Sequence, residues 1–162
     1  MDIIVREAQQ DDMVAVLSLI QELADFENEP DAVTIDEQVL QDYGTGAQPL
    51  FTCFVAEAAT TIVGIALVYY RFSTWKGRSL HLEDLIVTQE YRGKGVGSAL
   101  YRTVMRYAKN KQVRRVSWEV LNWNTHAIDF YERTGARILK DWQVVHFDED
   151  KLENYLNQST KK

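Results

Sequence analysis

The sequence predicts an α/β domain of the α+β type, built on one mixed sheet with helices on both faces. Three observations predict it. Two β-rich runs, Phe51 to Glu57 and Ile62 to Phe72, are separated only by a short turn around Ala58 to Thr61, as in a hairpin. Later runs alternate strand, loop and helix, the pattern of crossover connections. The chain has 162 residues, 46% of them hydrophobic and 26% charged, enough for one core in a single domain spanning 1–162.

The elements follow in order. Ile3 to Arg6 reads as a short strand. Asp11 or Asp12 caps a helix whose apolar residues Val14, Leu17, Ile20, Leu23 and Ala24 recur at three and four. Pro30 ends that region. Thr34 to Glu37 has the form of a capping box and opens a second helix toward Tyr43, stopped near Gly44. The hairpin comes next, then a strand from Leu80 to Val87, a glycine-rich loop and a helix. Val113 to Leu121 is expected as another strand. Asn124 caps a helix running to Gly135, Ile138 to Phe147 is expected as a last strand, and Lys151 to Leu156 as a short terminal helix. No repeat or low-complexity linker interrupts this order.

Composition excludes several function classes. No apolar run approaches the length of a membrane span, and the start of the chain lacks the layout of a signal peptide, so a cytoplasmic, membrane-free protein is expected. The lone Cys53 permits no disulfide within the chain and reads as a buried strand residue. His81, His126 and His146 have no zinc spacing, and no metal is expected. A net charge of −6 disfavours nucleic acid. The charge is uneven: between Glu7 and Tyr70 there are twelve Asp or Glu and no Lys or Arg. Most of these carboxylates are solvated surface, but the asymmetry suits a cationic substrate meeting an anionic cofactor.

The loop Arg92-Gly93-Lys94-Gly95-Val96-Gly97 lies between a strand and a helix start. There, glycine amides approach a phosphate closely and the helix dipole favours the charge, with Arg92 and Lys94 as countercharge. A Walker loop is ruled out, because Gly95 follows Gly93-Lys94 where Ser or Thr is required. A dinucleotide fingerprint nearly fits Gly93, Gly95 and Ser98, with Glu119 about 20 residues on, yet its third position is Ser and the motif sits mid-chain. The remaining pattern is Arg-x-x-Gly-x-Gly, carried by Arg92, Gly95 and Gly97. An ordinary glycine turn is the plain alternative.

A second stretch, Asn124-x-x-Ala127-x-x-Phe130-Tyr131-x-x-x-Gly135, stands after the first in the chain. Together the two motifs resemble those of the GNAT superfamily of N-acetyltransferases, over nearly the whole chain from Ile3 to Phe147. The resemblance implies a mostly antiparallel, twisted GNAT sheet and acetyl-CoA as co-substrate. It implies a cofactor site made of Leu85, Ile86 and Val87 on a widened strand, the loop Arg92, Gly93, Lys94, Gly95, Val96, Gly97 and Ser98, and Asn124, Ala127 and Tyr131. Asn124 would contact the pantetheine arm, and Tyr131 would sit near the thioester sulfur as general acid.

A narrower resemblance rests on Leu23 to Glu27, Tyr69 to Arg78, Leu82-Glu83-Asp84 and Asp141-Trp142, which are similar to the spermidine/spermine (diamine) acetyltransferase family. It implies that Glu83 acts as base or substrate ligand, that Glu27 helps to hold the amine, and that the protein works as a homodimer. The polyamine enzymes have Asp-Pro where this chain has Ser73-Thr74. The string Ser-Thr-Trp-Lys-Gly-Arg is instead similar to the thialysine N-epsilon-acetyltransferase branch.

The chemistry sets its own demands. A lysine-like ammonium with a pKa of about 10.4 is only about one part in a thousand neutral near pH 7.4, a cost of about 4 kcal/mol, so its proton needs a route. Glu83 is the candidate base and His81, two residues away, a possible assistant; Tyr131 would protonate the thiolate. Phe26, Glu27, Ser73, Trp75 and Glu83 are the candidate substrate-binding residues. The expected activity is acetyl transfer to a small primary amine, either a thialysine-like amino acid or a di/polyamine. A non-catalytic CoA-binding module and a protein or peptide amine substrate stay open.

Overall fold

The computed structural model describes residues 2–159, which fall into two compact units divided between Leu121 and Asn122. The first unit contains a five-stranded sheet, ordered sequentially: β1 (Ile3–Glu7), β2 (Thr52–Ala58), β3 (Thr61–Ser73), β4 (Gly77–Val87) and β5 (Val116–Ser117). β1 through β4 pair antiparallel and β5 runs parallel to β4, as a mixed sheet requires. The expected hairpin is present, and β3 and β4 extend it with a second, longer one.

Strand alternation gives the sheet two buried faces, and each receives helices. On one face α1 (Met13–Phe26) and α2 (Glu37–Gly44) pack Met13, Val16, Leu19 and Leu40 against Cys53, Val55, Ile65, Leu67 and Ile86. On the other, α3 (Val96–Asn110) packs Val96, Leu100, Val104 and Ala108 against Phe54, Ala56, Val68, Leu80 and Leu82. Each large apolar side chain so buried contributes about 1.5–3 kcal/mol. Of the expected stripe of α1, Ala24 is buried and Leu17, Ile20 and Leu23 pack partly buried against this core, while Val14 is exposed and Met13, Val16 and Leu19 lie deepest. The helical period was legible in the sequence, but its phase was set by the sheet.

Two bulges interrupt the alternation. Val63 is an extra residue on β3, between the pairs Ala56–Gly64 and Glu57–Ile62. Glu83 is an extra residue on β4, between Leu67–Asp84 and Val68–Leu82. Beyond Glu83 the strand's parity flips: Leu80 and Leu82 face α3 before it, Leu85 and Val87 after it.

Caps and ends differ from expectation in places. A 3-10 turn, Gln10–Asp12, precedes α1, and Asp12 stands at the N-cap position, but its side chain makes no cap hydrogen bond to α1 and takes a 2.6 Å ion pair from Arg6, which also holds Glu57 at 2.9 Å. The cap of α2 is Asp36, whose carboxylate accepts from the Val39 amide, in place of Thr34. The strand expected over Val113 to Leu121 is reduced to Val116–Ser117.

The second unit holds α4 (Thr125–Arg133) and α5 (Glu149–Ser159). The terminal helix is present and longer than expected. No strand forms between Ile138 and Phe147, where Trp142, Val144, Val145 and Phe147 are exposed. An apolar, β-branched run has strand propensity, but a strand exists only where another lends its hydrogen bonds, and the described residues provide none there. Among the described residues no helix is long and apolar enough to cross a membrane.

Candidate active site

The loop after β4 is built for close approach. Gly93 (φ 72°) and Gly95 (φ 83°) both occupy the left-handed region, where a side chain is strained. Gly95 is the N-cap of α3, which turns the loop directly into a 15-residue helix and leaves the first-turn amides at its positive end. Val96 is buried in the core between α3 and the sheet, and Ser98 stands in the first turn. Gly97 is different: its backbone is helical and a Cβ there would meet only Val87 Cγ2 at 3.7 Å.

Arg92 does more than add charge. Its Nε donates to the Val87 carbonyl at 2.8 Å, and Nη2 lies 3.4 Å from Glu22 Oε1 on α1. The same Glu22 oxygen accepts from the Gln89 amide at 3.1 Å, so one carboxylate ties α1 to the loop. The guanidinium lies 5.3 Å from the centre of the Phe26 ring, and Lys94 Nζ stands 5.1 Å from that of Tyr91.

β4 supplies the next layer. Its inner edge pairs with β3 through Leu85, Ile86 and Val87, whereas β5 covers its outer edge only at Leu80 and His81. Among the described residues no strand continues that outer edge toward Val87. The bulge residue Glu83 lies beside this opening, with its side chain half exposed. Bulges re-aim side chains in this way, and the strand is widened where backbone donors would be needed.

Three carboxylates share the neighbourhood of the bulge. Burial, then Glu83, then Glu27 push the Asp84 carboxyl up to about 6. Burial also raises Glu27 above the usual carboxylate range. The Tyr69 hydroxyl, pushed up to about 12 by burial and by its hydrogen bond to Glu83, stays protonated as a donor. Cys53, pushed up to about 12 by burial and by nearby Asp84, is an inert thiol inside the sheet.

Ser73 and Trp75 occupy a different place. They form the tip of the β3–β4 hairpin, where the Ser73 hydroxyl accepts from the amides of Trp75 (3.3 Å) and Lys76 (3.2 Å). Five residues of strand separate Ser73 from Val68, about 17 Å at 3.4 Å each, so within one chain the tip does not join the carboxylate cluster.

In the second unit the Asn124 carbonyl Oδ1 accepts from the Ala127 amide at 3.2 Å and caps α4. Tyr131 is buried, edge-on to Phe130 with ring centres 5.5 Å apart.

Tyr69, Asp84 and Glu22 belong to this constellation and were not singled out by sequence reasoning. Asp84 stood in the Leu-Glu-Asp string and Tyr69 in an aromatic one. The cross-strand register that brings Tyr69 to Glu83 had no sequence signal.

This combination of a left-handed glycine loop capping a helix, a bulged strand and a sheet edge left open is the architecture of acyl-CoA N-acyltransferases. A model of the acetyltransferase (GNAT) family matches residues 15–136. A thialysine N-epsilon-acetyltransferase of Bos taurus is 38% identical over 157 residues, 90% of this chain and 92% of the relative. The spermidine/spermine N(1)-acetyltransferase-like protein 1 of Homo sapiens is 33% identical over 158 residues, 91% of this chain and 23% of that longer protein. A solved aminoglycoside acetyltransferase from an uncultured soil metagenomic sample shares the fold, with a TM-score of 0.72 at 22% identity over 90% of this chain and 94% of that one. The chain belongs to the acetyltransferase (GNAT) family, and its class is that of an N-acetyltransferase.

Proposed function

We propose that this chain, acting as a single domain over 1–162, moves an acetyl group from acetyl-CoA directly to a primary amine of a small molecule, a thialysine-like amino acid in preference to a di- or polyamine. The observation that carries this reading is the carboxylate group Glu27, Glu83 and Asp84 at the bulge in β4, where burial first, and then the charges of Glu83 and Glu27, push Asp84 up to about 6. Such a concentration of negative charge attracts an ammonium and holds it beside a base.

Acetyl-CoA brings an activated thioester. The chain's residues do the rest. Gly93, Gly95, Gly97, Ser98 and the start of α3 receive the pyrophosphate, and Asn124, whose Oδ1 is committed to the helix cap, offers its amide Nδ2 to the pantetheine arm. The backbone at Leu85 to Val87 polarises the carbonyl. Glu83 takes the ammonium proton, directly or through water, and Tyr131 returns one to the departing thiolate. Phe26 and Glu27, at the end of α1, line the approach of the amine. The protein is read as cytoplasmic, metal-free and homodimeric, the hairpin tip with Ser73 and Trp75 reaching the far end of the substrate from the other subunit of the dimer.

The substrate preference rests on Ser73, which offers a hydroxyl where a polyamine enzyme offers a carboxylate, and on the 38% identity to a protein named for thialysine. Acetyl-CoA turnover, followed as released thiol over an amine panel, tests it. kcat/KM is expected to be higher for thialysine than for spermidine or spermine. Spermidine outperforming thialysine would overturn the preference, and no turnover with any amine would overturn the reaction.

A further inference from the structure

Four polar side chains meet on one face of the sheet next to Glu83, and the register explains why. Tyr69 of β3 is directly opposite His81 of β4, with ring centres 5.2 Å apart, and Ser117 of β5 is the parallel partner of His81. Arg71 lies two residues beyond Tyr69, on the same side of β3. Its Nη1 is 3.0 Å from His81 Nδ1, and the Ser117 hydroxyl is 3.3 Å from the same nitrogen. The other ring nitrogen, Nε2, faces Glu83 Oε2 at 3.5 Å, the outer edge of hydrogen-bond range.

We propose that Arg71 and His81 are a positioning pair for Glu83: Arg71 caps His81 Nδ1 and thereby fixes the neutral ring with its Nε2–H turned to the Glu83 carboxylate. The inference rests on the reading of Glu83 as base. A guanidinium has donors and no acceptor, so the nitrogen it touches must be unprotonated and the proton must sit on Nε2. The ring is 5% exposed, and water does not compete for Nδ1. The charged groups facing it are Arg71, Glu83 and Glu119, with the hydroxyls of Tyr69 and Ser117 as neutral neighbours. Burial is the largest influence and lowers the ring below the ordinary histidine value; Arg71 lowers it further, against Glu83 and Glu119.

The same geometry disfavours a relay through His81. A proton handed to the ring would have to leave through Nδ1, where Arg71 accepts nothing and only the Ser117 hydroxyl, at 3.3 Å, offers an acceptor. Glu83 is half exposed and returns its proton to water itself. Two neutral donors, Tyr69 O–H and His81 Nε2–H, are then left to aim its carboxylate.

Ring ¹⁵N spectra of the full chain test the pair without touching Glu83. The expected result at pH 8 is Nε2–H with an unprotonated Nδ1, and in Arg71→Met a mixture of tautomers with a higher titration midpoint. An Nδ1–H ring, or an Arg71→Met spectrum identical to wild type, overturns the proposal. Kinetics test the consequence: His81→Leu should lower kcat about tenfold with KM for acetyl-CoA unchanged. His81→Gln, whose amide can replace the donor, should restore most of it. Glutamine as damaging as leucine, or leucine with a wild-type kcat, overturns it. Glu83→Gln separates the two readings. A wild-type kcat in that variant removes Glu83 as base, while the ring spectra still judge the pair. In the Glu83→Gln background His81→Leu should add nothing, and a full tenfold further loss there would show that His81 does not act through Glu83.

Discussion

Asp84 shows how position decides what a carboxylate does. It stands next to Glu83, yet the bulge turns it inward toward Cys53 and Leu67 while Glu83 stays half exposed. A carboxyl raised from 3.8 to about 6 is ionised in the folded protein at a penalty. That penalty is full above about pH 6 and fades as pH falls toward 3.8, because the folded state then holds a proton that the unfolded chain does not. The shift of about two units is worth up to about 3 kcal/mol. Asp84→Asn should therefore melt higher than wild type at pH 8, with the gain shrinking toward pH 4; coincident melts at pH 8 would contradict this. At Tyr131 the expectation is catalytic. Tyr131→Phe keeps the ring packing with Phe130 and deletes the hydroxyl, so the protein should fold while kcat falls roughly 10²–10⁴-fold at saturating acetyl-CoA. A wild-type rate would leave Tyr131 as a core residue.

Elements impose different requirements on residues that look alike in sequence. Of the loop glycines, Gly93 and Gly95 are demanded by backbone conformation, whereas Gly97 has room for a Cβ in the protein itself. Gly95→Ala should strain the turn and lower stability by about 1 kcal/mol or more. Gly97→Val should leave the melting temperature within a few degrees and still weaken acetyl-CoA binding severely, because only the ligand needs that space. Calorimetry with unchanged acetyl-CoA affinity in Gly97→Val would remove the loop from the cofactor site. Glu22 adds a connection between elements that no motif displays: it joins α1, which carries Phe26 and Glu27, to Gln89 and Arg92 at the glycine loop.

At the scale of the molecule the hairpin tip is the feature to explain. Phe72 is 80% and Trp75 77% exposed, while Tyr70 lies under Arg78 at 3.9 Å and shares a 3.2 Å hydrogen bond with Tyr107. The apolar surface of the string Tyr69 to Trp75 is thus concentrated at its end, as expected of a contact element. A two-fold dimer should be seen by light scattering at working concentration, and a monomer mass would contradict it. The tip also bears on specificity. Ser73→Asp should shift the kcat/KM ratio from thialysine toward polyamines by restoring a charge for a distant second amine, and an unchanged ratio would exclude Ser73 from substrate selection.

What the sequence determined by itself was local. The glycine loop, the Asn124 cap, the helical period of α1 and the strand runs of the hairpins depend on residues a few positions apart, and all are present in the fold. The family could be read for the same reason, since both motifs are contiguous strings. The bulge at Glu83, the phase of α1, the Arg71–His81 contact and the missing strand at 138–147 depend on which residues lie opposite one another across the sheet. Register is fixed by packing over the whole core and shifts every side chain to the other face when it slips by one. Only the tertiary structure could therefore place Asp84 inside, keep Glu83 partly in water and bring Tyr69 and His81 to its carboxylate.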